Sequence, residues 1–201
     1  MVSGFSPASN SMSIAINKII DGLVSMPDEQ FTCDDVYQFL AEHPVDVDTI
    51  SPFFHWSEKF YTRNLIYKDA RFEMMAICWE RGQVSKIHNH ADQKCWMTVP
   101  VGKLHGQNFA VAEMDKDKGY CKLSETNNFD LSDCLAAKVD LEEPIHQILN
   151  LTEYNERAVS LHIYSKPFDR CLSYCRETDT FKLVPLFYTS VNGKLCDGIS
   201  L

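Results

Sequence analysis

The feature that most limits what this chain can fold into is a change of hydrophobic period near residue 60. Before it, apolar residues recur at helical spacing; after it they alternate, in one short run after another to near the C-terminus. Residues 12–25 carry Ile16, Ile19, Ile20, Leu23 and Val24, with Pro27 as a stop. Thr32 and Asp35 resemble a capping box opening a second helix, with Val36, Phe39 and Leu40 as its apolar stripe and its end before Pro44. A short third helix is expected over 49–56. Strands are expected over 61–67, 72–79, 94–101, 104–111, 135–139, 145–149, 159–164, 173–176 and 181–188, with turns at Gly82, Gly102, Asn127 with Asn128, and Pro144. Such a succession predicts a mainly β chain, an antiparallel sandwich or barrel capped by the N-terminal helices. With no internal repeat or linker, one domain is expected: a helical cap over 1–56, a β-barrel over 57–190 and a tail over 191–201.

Charge narrows the partners. The chain has 19 basic and 28 acidic residues, a net charge of −9, and no basic patch or run, so neither nucleic acid nor an anionic membrane is an expected partner. No apolar run approaches the roughly 20 residues that cross a bilayer. The first thirteen residues are polar, with Pro7 among them, and show no secretory signal; Val2 excludes myristoylation. Eight cysteines are too dilute over 201 residues for a disulfide scaffold, and no CxxC pair is present to hold zinc. The expectation is a cytoplasmic, monomeric protein with reduced thiols and a small-molecule partner.

The chemistry starts at His88-Asn89-His90. Two histidines at i and i+2 on an extended segment point the same way, so both imidazoles can reach one metal ion. An isolated HxH is more often a pair of surface histidines, but its surroundings alter that reading. Gly82, five residues, His88, one residue, His90, four residues, Cys95, six residues and Gly102 resemble the first metal motif of the cupin superfamily. Among the remaining histidines, His43 and His55 fall in the helical region and His105 follows a turn. His146 lies in an apolar run with Ile145, Ile148 and Leu149, and resembles the second cupin motif without its usual preceding glycine. Cys95 stands where the general cupin pattern has a ligating Glu, which leaves three neutral imidazoles, a donor set suited to first-row transition metals.

Further stretches make the resemblance specific. Residues 61–65 (Tyr-Thr-Arg-Asn-Leu), 87–90 (Ile-His-Asn-His) with Cys95, His146, and 160–165 (Ser-Leu-His-Ile-Tyr-Ser) leading into Pro167-Phe168-Asp169 resemble the cysteine dioxygenase family of cupins, over nearly the whole chain. The resemblance implies a single cupin domain that adds O2 to the thiol of L-cysteine to give cysteine sulfinic acid. It implies Fe(II) on His88, His90 and His146, and Arg63 paired with the substrate carboxylate, a task suited to a guanidinium fork. It gives Tyr61 a place on the substrate side, makes Trp79 a family tryptophan, and has Tyr164 hydrogen-bond the substrate and join the Cys95 sulfur in a thioether. Ser160, His162 and Tyr164 alternate on one strand face, where hydroxyl, imidazole and phenol can form a hydrogen-bonded chain.

One position departs from the family. Its usual Ser-Pro-Pro-Phe, with a cis peptide before the first proline, is here Ser165-Lys166-Pro167-Phe168. A cis bond to a non-proline residue costs about 2.5–4 kcal/mol, against about 0.5–1 for proline. Either the loop bears that cost, or it runs trans and Tyr164 sits differently. Two other functions stay open on the sequence: a related dioxygenase acting on a mercapto-carboxylate, and a non-catalytic or zinc-bound cupin.

Overall fold

The computed structural model describes residues 12–138, 145–198 and 201. Its helices lie at the N-terminus: α1 (Ile16–Ser25), α2 (Cys33–Glu42) and α3 (Val47–Ile50), the last followed by a 3-10 turn, Ser51–Phe53. Helix α1 begins at Ile16, later than the expected residue 12, because Ile14 is taken up by a parallel bridge to Val45, bonding Pro44 and Asp46. The Thr32 hydroxyl accepts the Asp35 N–H at 3.1 Å, so the cap read from the sequence is formed. The expected helix over 49–56 instead starts at Val47, behind the cap residue Asp46, whose side chain accepts the Asp48 N–H. It tightens to 3-10 at Ser51, where Pro52 supplies no N–H.

Among the described residues thirteen strands follow: β1 (Thr62–Lys68), β2 (Phe72–Trp79), β3 (Ile87–His88), β4 (Cys95–Val101), β5 (Leu104–Asp115), β6 (Tyr120–Leu131), β7 (Ala137–Lys138), β8 (Ile145–Leu149), β9 (Ala158–Ser165), β10 (Arg170–Cys175), β11 (Thr180–Pro185), β12 (Ser190–Val191) and β13 (Lys194–Leu195). One sheet has the order β13-β12-β1-β2-β9-β4-β7. The other runs β10-β11-β6-β5-β8-β3 and closes where β3 pairs β10. The chain is thus mainly β, a two-sheet barrel with N-terminal helices against one side, as the sequence predicts.

Alternation explains how the layers stack. Phe72, Met74, Ala76 and Cys78 of β2 face the helices and join a cluster with Ile19, Leu23, Val36, Leu40 and Ile50. Met75, Ile77 and Trp79 of the same strand face inward, packing with Cys95, Met97, Val99 and Tyr164 and with Leu104 and Ile148 of the opposite sheet. Strand β2 is buried on both faces, which is why it reads as a nearly unbroken apolar run.

Several expectations are corrected. Strand β6 was not expected, and Asn127 and Asn128 lie inside it rather than in a turn. Exposed Glu125 and Asn127 interrupt the apolar face of Cys121, Leu123, Phe129 and Leu131, so its alternation is faint. The β5–β6 turn falls later, at Gly119, and β5 runs on to Asp115. Strand β3 is too short to show a period. From residue 191 the chain supplies most of the β12–β13 hairpin, where a tail was expected. Val139 and Pro144 lie outside the described residues. Gly102, by contrast, turns the chain as expected: its φ is +69°, and a Cβ there would sit 2.3 Å from the Arg157 carbonyl oxygen.

Candidate metal centre

Three histidines converge inside the barrel from the closed sheet. His88 on β3 lies directly opposite His146 on β8, and His90 follows two residues later, past the strand end. Their ligand atoms all lie within 4.8 Å of one another, the only such group of three among the described residues. His90 and His146 are buried and His88 is half-buried. His43 contacts the Phe39 carbonyl, His55 that of Gly193, and His105 the Asp130 carboxylate, all away from this group.

The donor set fits a metal ion. Both ring nitrogens of His90 and Nε2 of His146 are buried without a hydrogen-bond partner. Buried polar atoms are seldom left unmatched unless something else satisfies them. The Lys86 carbonyl lies 2.8 Å from His88 Nδ1, and accepting its proton fixes the tautomer that leaves Nε2 free to ligate. Burial lowers the pKa of His88 to about 4 and holds His90 and His146 well below the usual range, repulsion from neighbouring histidines adding to it at His90 and His146. All three are therefore neutral, the form that donates to a metal.

The opposite wall comes from β4 and β9. Cys95 and Tyr164 are directly opposed, and the Tyr164 ring lies 5.6 Å from that of His90. Trp79 Nε1–H donates to Ser160 Oγ at 2.9 Å, Ser160 Oγ lies 2.9 Å from His162 Nε2, and His162 Nδ1 lies 3.1 Å from the Tyr164 hydroxyl. Since Trp79 occupies Ser160 as acceptor, the serine hydroxyl can donate a hydrogen bond to His162 Nε2. Nδ1–H then donates to the phenol oxygen, and the phenol proton is free to point towards the histidines. Burial lowers His162 to about 3 and raises Tyr164 well above the ordinary tyrosine range, so both are neutral. No described peptide bond is cis, and Lys166 is in the left-handed region at φ +60°. Tyr164 is nevertheless held in the chain from Trp79.

Arg63 on β1 enters from the side. Its Nε is buried without a partner, and its positive charge contributes to lowering His88, His90 and His162. Tyr61, two residues earlier, stacks on Trp79 with ring centroids 4.5 Å apart. The structure thus brings together all nine residues singled out in the sequence: Tyr61, Arg63, His88, His90, Cys95, His146, Ser160, His162 and Tyr164. Two neighbours were missed. Phe168 meets the Tyr164 ring edge-on at 5.1 Å, and the fully buried Glu73 lies opposite Tyr164 on β2. A lone glutamate in the apolar run of β2 was the available signal for the second.

A two-sheet barrel with three histidines converging from one sheet defines a cupin with a histidine metal-binding site. The sequence profile described as Cysteine dioxygenase type I matches residues 5–177. The chain belongs to that family. A Bos taurus protein named Cysteine dioxygenase type 1 is 34% identical over 119 residues, 59% of this chain and 57% of the relative. A Homo sapiens protein of the same name is 27% identical over 166 residues, 82% of this chain and 80% of the relative. The chain therefore spans little more than half the length of the bovine relative it matches. Among solved structures, a Klebsiella pneumoniae protein described as having a double-stranded beta-helix domain aligns with TM-score 0.42 and 12% identity, covering 68% of this chain and 95% of that one. Among the described residues, no helix is long and apolar enough to cross a membrane.

Proposed function

We propose that this chain is an Fe(II)-dependent cysteine dioxygenase that adds both atoms of O2 to the thiol of L-cysteine, giving cysteine sulfinic acid. The observation that carries the reading is a buried, unpartnered Arg63 Nε beside three neutral histidines, two of which, His90 and His146, have buried nitrogens without a partner. Such a site suits an anion at the guanidinium and a cation at the imidazoles; an amino acid carboxylate and a divalent metal ion supply both.

Fe(II) on His88, His90 and His146 would supply the activation of O2 and a point of attachment for the substrate sulfur and amine. The protein's own residues do the rest. Arg63 binds the carboxylate, which a desolvated bidentate pair does with directional selectivity. Tyr61 packs against Trp79 and closes the substrate side. Ser160 and His162 orient the Tyr164 phenol, whose proton hydrogen-bonds the reacting substrate. Cys95, beside the phenol ring, joins it in a thioether: the thiol and a ring C–H each lose a hydrogen, and O2 is the oxidant. Among the described residues no disulfide joins any of the eight cysteines, in keeping with a reducing cytoplasm.

The deciding experiment is oxygen uptake with L-cysteine by protein loaded anaerobically with iron, with product analysis by mass spectrometry. Stoichiometric uptake with sulfinic acid is expected. Tightly bound zinc with no uptake after iron loading would instead make this a binding cupin.

A further inference from the structure

The Arg63 peptide is bracketed by one residue of the C-terminal segment. Its N–H donates to Thr189 Oγ1 at 3.1 Å, and its carbonyl accepts the Thr189 N–H at 2.7 Å. Strand pairing between β1 and β12 begins only at the next residue, Asn64 opposite Ser190, so on this side Thr189 is what fixes Arg63. Thr189 is itself buried.

The residue before it is tied down separately. The Tyr188 hydroxyl donates to Glu73 Oε2, and Lys68 Nζ donates to the Tyr188 oxygen at 3.0 Å while lying 3.7 Å from the same carboxylate. Glu73 alternates with Met75, Ile77 and Trp79 and so faces the barrel interior. It stands in a cross-strand row with Lys68 on one side and Tyr164, then Cys95, on the other. Its other oxygen, Oε1, is buried without a partner, so Tyr188 and Lys68 are what hold the Glu73 side chain in place. Tyr188 and Thr189 lie beyond residue 177, where the family profile ends.

We propose that Thr189, anchored by the Tyr188–Glu73 contact, is a positioning residue for Arg63, and that this segment thereby sets the preference for thiols bearing a carboxylate. The proposal rests on the reading of Arg63 as the carboxylate partner. The physical link is leverage. A buried N–H deprived of its acceptor moves towards another partner. The guanidinium, at the end of a long side chain, moves with the backbone that carries it. A catalytic or binding group misplaced by about 1 Å can cost on the order of 100-fold.

The test compares Thr189→Val, which removes only the hydroxyl acceptor, with Thr189→Ser, which keeps it, in full-length iron-loaded protein. Thr189→Val should lower kcat/KM for L-cysteine by about tenfold, a fraction of that 100-fold limit. It should leave cysteamine, which has no carboxylate, nearly unchanged, and Thr189→Ser should restore the wild-type ratio. Tyr188→Phe should move the ratio the same way. A readout independent of activity is amide hydrogen exchange at Arg63, which should quicken in Thr189→Val. Equal losses on both thiols, or an unchanged ratio, would overturn the proposal and make Thr189 structural. A wild-type protein inert to both thiols would overturn the dioxygenase reading instead. The relative binding of the two thiols to wild-type and Thr189→Val protein would then still decide whether Thr189 positions Arg63.

Discussion

Cys95 and Tyr164 are a directly opposed pair on adjacent antiparallel strands, both buried, beside the three histidines. Opposed residues have Cβ atoms about 4.5–5.5 Å apart, within reach of a bond between a sulfur and a ring carbon. Burial raises the Cys95 thiol far above its usual range, so it enters any such reaction protonated. Protein turned over with L-cysteine should contain a fraction lighter by two hydrogens, with the peptides around Cys95 and Tyr164 joined in a digest. Cys95→Ser should lack this species and keep reduced activity, while Tyr164→Phe should lose most activity. Only free Cys95 after long turnover would make it an inert core thiol.

The metal prediction is read by content and stability as well as by activity. His146→Ala should lose most bound iron after anaerobic loading, measured by elemental analysis. A ligand bound only by the folded state stabilises it by about 2.7 kcal/mol at 100 times its Kd. Iron should therefore raise the Tm of the wild type and leave that of His146→Ala nearly unchanged. Full iron retention would move the third ligand elsewhere, with His162 next in line.

How much of this was legible follows from what kind of contact each residue makes. His88 and His90 are legible because alternation along an extended chain is a local rule. His146 stood out because a histidine in an apolar strand needs a partner. Ser160, His162 and Tyr164 share a face by the same local rule. Strand β6 escaped because the polar, exposed Glu125 and Asn127 interrupt the face that carries Cys121, Leu123, Phe129 and Leu131, so no continuous apolar alternation marks it. The Tyr188–Glu73 contact joins residues 115 apart, and no periodicity reports such a pairing. The Ser165–Lys166 alternatives were separable only with the backbone known: the bond is trans, and the tyrosine stays in its hydrogen-bonded chain.

Arg63 separates substrates by their carboxylate. Truncating one side of a desolvated ion pair costs about 2–5 kcal/mol. Arg63→Ala should therefore depress use of L-cysteine by orders of magnitude while affecting cysteamine little, measured as kcat/KM on both thiols. Equal losses would show that the guanidinium supports the cavity rather than selecting the substrate.

A pH effect on stability should arise away from the metal centre, at Asp130. Partial burial pushes its carboxyl pKa up, but hydrogen bonds from Lys103, His105 and Tyr154 outweigh it and hold the pKa well below the usual range. Lys103 Nζ is 2.8 Å away, as is His105 Nδ1, and the Tyr154 hydroxyl is 2.7 Å away. Together they tie β5, β6 and the loop at Tyr154. A carboxyl whose folded pKa is depressed stabilises the fold above its unfolded pKa, near 3.9, and loses that contribution as pH falls through the folded value. Solvent screens the group, which is about half exposed, so the effect is modest. Asp130→Asn should lower the Tm at pH 6–7, and the gap from wild type should narrow steadily as the pH is taken below 4. A gap that stays constant down the acid limb would show that Asp130 acts through neutral hydrogen bonds and packing, with its charge contributing nothing.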